Sequence, residues 1–195
     1  MKTFLTQEDI DKLLAAANNQ RDYLIVSVLW VTGMRVTELV SIRVQDFDQA
    51  DNTLNIIHLK VRNGKNEREY RQIPLREDVA KLLSRFISAC NLKPEDRIFP
   101  ITRRSVNIIL GYLSKKAGLS GKILTHPTSN RKHFISAHRF RDALAVYWLK
   151  KKQGSSLEGQ KALQEMLGHQ SFATTARYFK LGMDEVKGIY KGIWR

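Results

Sequence analysis

Chemistry on a phosphate needs fixed cations, a proton donor and a nucleophile gathered around one phosphorus, and the sequence holds residues of each kind. Arg35 lies in Thr32-Gly-Met-Arg-Val-Thr-Glu-Leu39, just after a glycine placed to stop a helix, where a tight turn can aim its guanidinium into a cleft. Arginine suits that task because its planar fork bonds two phosphate oxygens and keeps its charge. Read alone, the same side chain serves equally well as a surface residue paired with Glu38. His138 and Arg141, in His138-Arg-Phe-Arg141, stand one helical turn apart and could grip one phosphate together. His169 follows the helix-ending pair Leu167-Gly168, and Tyr178 ends the segment Ser171-Phe-Ala-Thr-Thr-Ala-Arg-Tyr178. A phenol with a reference pKa of about 10 becomes a nucleophile at neutral pH only beside cations or a base.

The other candidates read as structural. His126 and His133 sit in a loop with no arginine one turn later, and His58 alternates with apolar residues on an expected strand. Tyr23, Tyr112 and Tyr147 fall within apolar helices and are expected in the core.

A charge balance of 33 Lys+Arg against 19 Asp+Glu, net +14 over 195 residues, calls for a polyanionic partner, nucleic acid before membrane. With 43% hydrophobic residues the chain can bury a real core, which excludes wholesale disorder. One cysteine, Cys90, excludes zinc ribbons and disulfide scaffolds. The most apolar run, Tyr23 to Val31, is far short of the roughly 18 residues of a membrane span, and acidic residues follow Met1 too closely for a signal peptide. A cytoplasmic or nucleoid-associated protein is expected.

These residues need rigid elements to position them. Thr6 is placed to cap a helix over about 7–17, with Leu5 and Ile10 at staple positions. A largely buried helix is expected over 20–32, ending at Gly33 in a left-handed conformation, and a short one over 36–41. Between residues 54 and 75 the apolar period changes to two around Asn63-Gly64, the signature of a hairpin. Val79, Leu82, Leu83, Phe86, Ile87 and Cys90 then form a helical stripe, which makes Cys90 a core residue. Further helices are expected over about 102–116, 137–152, 156–167, 172–179 and 184–193. The segments 118–135 and 150–156 read as exposed loops. The expected fold is mixed α+β, mostly helical with one small antiparallel sheet, in a single domain over 1–195.

Thr32-Gly-Met-Arg-Val-Thr-Glu-Leu39, the hairpin from Gly64-Lys65 to Ile73-Pro-Leu75, His138-x-x-Arg141, and Leu167-Gly-His-Gln-Ser-Phe-Ala-Thr-Thr-Ala-Arg-Tyr178 together resemble the catalytic domain of the tyrosine recombinases, or phage-type integrases. The resemblance covers nearly the whole chain. It implies site-specific recombination of double-stranded DNA by metal-free transesterification, needing no cofactor. Tyr178 would attack phosphorus to leave a 3′-phosphotyrosine and a free 5′-hydroxyl. Arg35 and Arg141 would neutralise the non-bridging oxygens, His138 and His169 would donate hydrogen bonds and handle protons, and Lys65 would protonate the leaving oxygen. A homo-oligomer on DNA, a tetramer in synapsis, is implied. A tyrosine-dependent DNA-relaxing or hairpin-forming enzyme would share this chemistry, and a DNA-binding regulator would keep the fold without cleavage.

The sequence departs from the family pattern in places. Asp142 stands where the family often has histidine, and it could orient Arg139 or His138. Lys60 rivals Lys65 because the hairpin is longer than usual. The chain begins at the catalytic part, so either it is an excised fragment or it resembles short forms lacking the amino-terminal core-binding domain. In the tail, 183–195, Met183, Val186, Tyr190, Ile193 and Trp194 form an apolar stripe that packs on its own domain or docks in trans on a neighbouring protomer. Trans docking predicts that deleting 184–195 abolishes higher-order complexes on DNA in native gels and leaves the monomer folded. A truncated chain that forms the same multimers would place the stripe on its own domain.

Overall fold

Helix α2 (Gln20–Thr32) is the centre around which the other elements pack, because its apolar residues from Leu24 to Trp30 are buried on every side. Leu24, Ile25, Val26, Val28 and Leu29 are fully buried, and Trp30 nearly so. The structure is a computed structural model and describes residues 4–62, 65–125 and 132–168. Around α2 lie α1 (Gln7–Ala16), α3 (Val36–Leu39), α4 (Glu77–Ala89), α5 (Arg103–Lys116) and α6 (Ala137–Leu149). A short α7 (Lys152–Ser155) leads into α8 (Leu157–Leu167), which packs on α6. Phe140 and Leu144 of α6 and Leu163 and Leu167 of α8 complete the core on that side.

A turn of 3-10 helix at Val44–Asp46 leads to β1 (Phe47–Asp48), the edge of an antiparallel sheet with β2 (Thr53–Arg62) and β3 (Lys65–Pro74) in the order β1-β2-β3. Its register pairs Leu54 with Ile73, Ile56 with Arg71, Ile57 with Tyr70 and Arg62 with Lys65. Leu54, Ile56 and Ile73 are buried, whereas Ile57 and Tyr70 face solvent. Alternation thus puts Arg71 on the inward face with Ile56. The Arg62–Lys65 pair is what a two-residue connection requires; Asn63 and Gly64 themselves lie outside the described residues.

Several expectations need correction. The stretch 118–135 is not wholly an exposed loop: Leu119 and Leu124 are buried, and β4 (Leu124–Thr125) pairs with β5 (Lys132–His133) as a second small sheet. Two-residue strands carry too short a pattern to stand out in a sequence. Segment 150–156 is not all loop either, since α7 lies within it. Cys90 is exposed, because α4 ends at Ala89 and its last turn runs past the core before Asn91 reverses the chain at φ 50°. Tyr23, Tyr112 and Tyr147 are partly or largely exposed, at 37%, 56% and 36%. On an amphipathic helix a tyrosine can lay its ring at the boundary and keep its hydroxyl in water. The expected helices 172–179 and 184–193 lie outside the described residues.

The entry into α1 follows the cap expected there. Thr6 Oγ1 accepts from the Asp9 amide at 3.3 Å, and Asp9 Oδ2 accepts from the Thr6 amide at 2.8 Å. Lys122 reaches from beyond α5 to donate to the same carboxylate, which ties the chain start to the body of the fold. Burial pushes the Asp9 carboxyl up, but the hydrogen bonds from Lys122 and Thr6 outweigh it and hold it below its ordinary value of 3.8. A depressed folded value gives stability that is present above the unfolded value and lost as pH falls through the folded one. Asp9→Asn should therefore lower stability at neutral pH by about 1 kcal/mol. In urea unfolding, its difference from wild type should shrink as the pH drops below 3.8.

Candidate active site

Gly33 ends α2 at φ 58°, a left-handed conformation that only glycine adopts without strain. A Cβ at this position would lie 2.7 Å from Leu167 and 2.9 Å from Leu144 side-chain carbons. The missing side chain is what lets the end of α2 meet α6 and α8 at one point. Two residues on, the Arg35 amide donates to Glu38 Oε2 at 2.6 Å, and its Nη1 donates to Glu38 Oε1 at 3.1 Å. Its side chain is still 38% exposed. Of the two readings of Arg35, the pairing with Glu38 is present, and the other edge of the side chain is open to solvent.

Arg141 is buried, at 3% exposure. Its Nη1 donates to the Gly33 carbonyl at 3.0 Å and its Nη2 to the Leu167 carbonyl at 2.6 Å. One guanidinium thereby holds together the glycine turn before Arg35, helix α6, and the end of α8. Gly168 closes α8 at φ 62°, and the chain passes directly from it to His169. His138 lies one turn before Arg141, in the first turn of α6, and is exposed where Arg141 is buried. Lys65 begins β3, with its backbone paired to Arg62. His169, Tyr178 and the tail 183–195 lie outside the described residues, as does His126.

Arg71 went unrecognised in the sequence. Its Nε donates to the Met166 carbonyl at 3.1 Å, while Nη1 and Nη2 donate to Glu38 Oε1 and Oε2 at 3.0 and 2.8 Å. Both partners of this ion pair are largely buried, at 11% and 7% side-chain exposure. A Cβ on Gly168 would lie 2.8 Å from Arg71 Nη1, so the second glycine stop is also a close approach. Burial pushes the Glu38 carboxyl up; the Arg71 hydrogen bonds and charge, joined by Arg35, outweigh that and hold it below its ordinary value. The signal available was an arginine at an inward position of an alternating strand, which demands a buried counter-charge. Asp142 pairs with Arg139 at 2.8 Å, both buried, as an ionic contact off hydrogen-bond alignment. Of the two partners weighed for it, Arg139 is therefore one it has.

Arg35, Arg141 and the two glycine stops come from segments far apart in sequence, and one family profile spans them all. Residues 3–185 match the profile described as the phage integrase family. The chain belongs to the phage integrase family. A tyrosine recombinase of Pseudothermotoga lettingae is 31% identical over 180 residues, covering 90% of this chain and 55% of that protein. Tyrosine recombinase XerA of Saccharolobus solfataricus is 30% identical over 186 residues, covering 95% and 55%. The chain spans about half the length of these curated relatives. Among solved structures, the crystal structure of XerA recombinase superposes with a TM-score of 0.69 at 25% identity, over 98% of this chain and 65% of that one. The Tn1549 transposon integrase, solved in complex with transposon right end DNA, gives 0.73 at 18% identity, over 100% and 67%, a likeness of fold. Within this phage integrase fold no described helix is long and apolar enough to cross a membrane.

The three-way junction predicts that Gly33→Ala is costly. It combines left-handed strain with overpacking against Leu167 and Leu144, about 2–4 kcal/mol together. Urea denaturation should show that loss, whereas Gly111→Ala, at a position with nothing near the added carbon, should be neutral or stabilising.

Proposed function

We propose that the chain is the catalytic part of a site-specific DNA recombinase that breaks and rejoins duplex DNA through a 3′-phosphotyrosine. The observation that carries this reading is the buried Arg141 guanidinium, bonded to the carbonyls of Gly33 and Leu167. It joins a helix turn bearing Arg35 to a helix end leading into His169, which is how a phosphate site made of distant segments must be held. In this reading the Tyr178 oxygen attacks phosphorus and the bond to the 5′-oxygen breaks. The departing oxygen takes a proton from Lys65, with Lys60 as its rival. Arg35 and Arg141 stabilise the charge that builds on the non-bridging oxygens of the pentacoordinate state, with His138 and His169 as hydrogen-bonding and proton-handling partners. Reversal of these steps, with a 5′-hydroxyl from another strand, rejoins the DNA.

A double-stranded DNA partner is supported by the net charge of +14 and by α5. That helix starts with exposed Arg103 and Arg104 and no acidic residue in its first turn, against the preference of a helix N-terminus for negative charge. The DNA-bound state of related integrases supports it too. The working form in this reading is a homo-oligomer on DNA, four protomers at synapsis.

Covalent capture tests the proposal. The protein is incubated with a library of nicked duplexes, denatured, and the attached DNA sequenced. Wild type should retain DNA in the presence of EDTA. Tyr178→Phe should retain none, and Arg35→Ala and Arg141→Ala should each lower capture by on the order of a hundredfold to a thousandfold. An adduct persisting in Tyr178→Phe would move the nucleophile elsewhere, and EDTA inhibition reversed by magnesium would overturn the metal-free route.

A further inference from the structure

Glu38 presents a problem for the chemistry assigned to Arg35. A buried carboxylate 3.1 Å from the Arg35 guanidinium is a built-in competitor for the charge that a scissile phosphate needs. Left with Arg35 as its main counter-charge, Glu38 would draw that side chain into a neutral pair, since an unpaired buried carboxylate is far costlier than a paired one. Arg71 changes this balance. It meets both oxygens of Glu38 with a parallel two-bond fork at 3.0 and 2.8 Å, the strongest geometry available to a carboxylate, and is more buried than Arg35. Its third contact, Nε to the Met166 carbonyl, fixes it against the end of α8 and keeps the fork aimed.

Resting on the recombinase reading above, we infer that Arg71 is a positioning residue for phosphoryl transfer: it is the counter-charge of Glu38, and by satisfying that carboxylate it leaves the charge of Arg35 available to the scissile phosphate. Arg71 itself does not touch the DNA. Glu38 keeps its other task, accepting the Arg35 amide at 2.6 Å and so fixing the turn, and that task needs an oxygen acceptor and not a full negative charge.

A substrate that needs less positive charge separates this role from support of the fold. Replacing one non-bridging oxygen of the scissile phosphate by methyl makes the linkage neutral, so an enzyme deprived of an effective Arg35 loses less on it. The probe is a nicked duplex carrying the sequence recovered by covalent capture, with either phosphate or methylphosphonate at the scissile position, and the readout is single-turnover adduct formation. Arg71→Gln should lose on the order of a hundredfold on phosphate but less than about tenfold on methylphosphonate, the same discrimination as Arg35→Ala. Glu38→Gln combined with Arg71→Gln should regain most of the phosphate activity, because the competitor is gone and an amide oxygen can still accept the Arg35 amide. An equal loss on both substrates, or a double variant no better than Arg71→Gln, would overturn the assignment of Arg71 while leaving the recombinase reading intact. A wild-type protein that captures no DNA at all overturns that reading, and this inference with it.

Discussion

The last carbonyls of a helix have no partner within it, and at the end of α8 two of them are taken by guanidiniums from elsewhere in the chain. Arg71 of β3 donates to Met166 and Arg141 of α6 donates to Leu167. The negative end of the helix dipole favours cations there, so each bond has an electrostatic as well as a geometric component. With the bond from Arg141 to Gly33, these contacts hold the sheet, α2, α6 and α8 together. Two left-handed glycines, Gly33 and Gly168, are what allow the approach.

Burying cations this way requires an account of charge. Arg71 and Arg139 are each matched to a buried carboxylate, Glu38 and Asp142. Arg141 donates to the carbonyls of Gly33 and Leu167, and Arg35 keeps an exposed edge. The charge of Arg71 is thereby matched at Glu38, beside the exposed edge of Arg35. The cost is borne by the fold, which must keep the Glu38 carboxylate charged in a largely buried setting.

Much of the architecture could be read from the chain itself, because it depends on local periodicity and stop signals. The cap at Thr6, the end of α2 at Gly33, the hairpin flanking Asn63-Gly64 and the end of α8 at Gly168 each follow from a few adjacent residues. Expectations failed where burial depends on where an element ends in the body, as at Cys90, or on which side of a helix meets the core, as at Tyr112. The pair β4–β5 was too short to carry any period.

The sequence alone determined the residue types and their order: arginines after a glycine stop, His138 and Arg141 one turn apart, a second glycine stop before His169. These are local facts of spacing, and the resemblance carried by the motifs around them indicated the family to which the chain belongs. Only the tertiary structure decided that Arg141 is bonded to Gly33 and Leu167 and that Arg71 shares Glu38 with Arg35. Those contacts join residues separated by long stretches of chain. No local pattern encodes such meetings, because they depend on how closely α2, α6, α8 and β3 can approach once their apolar faces are buried.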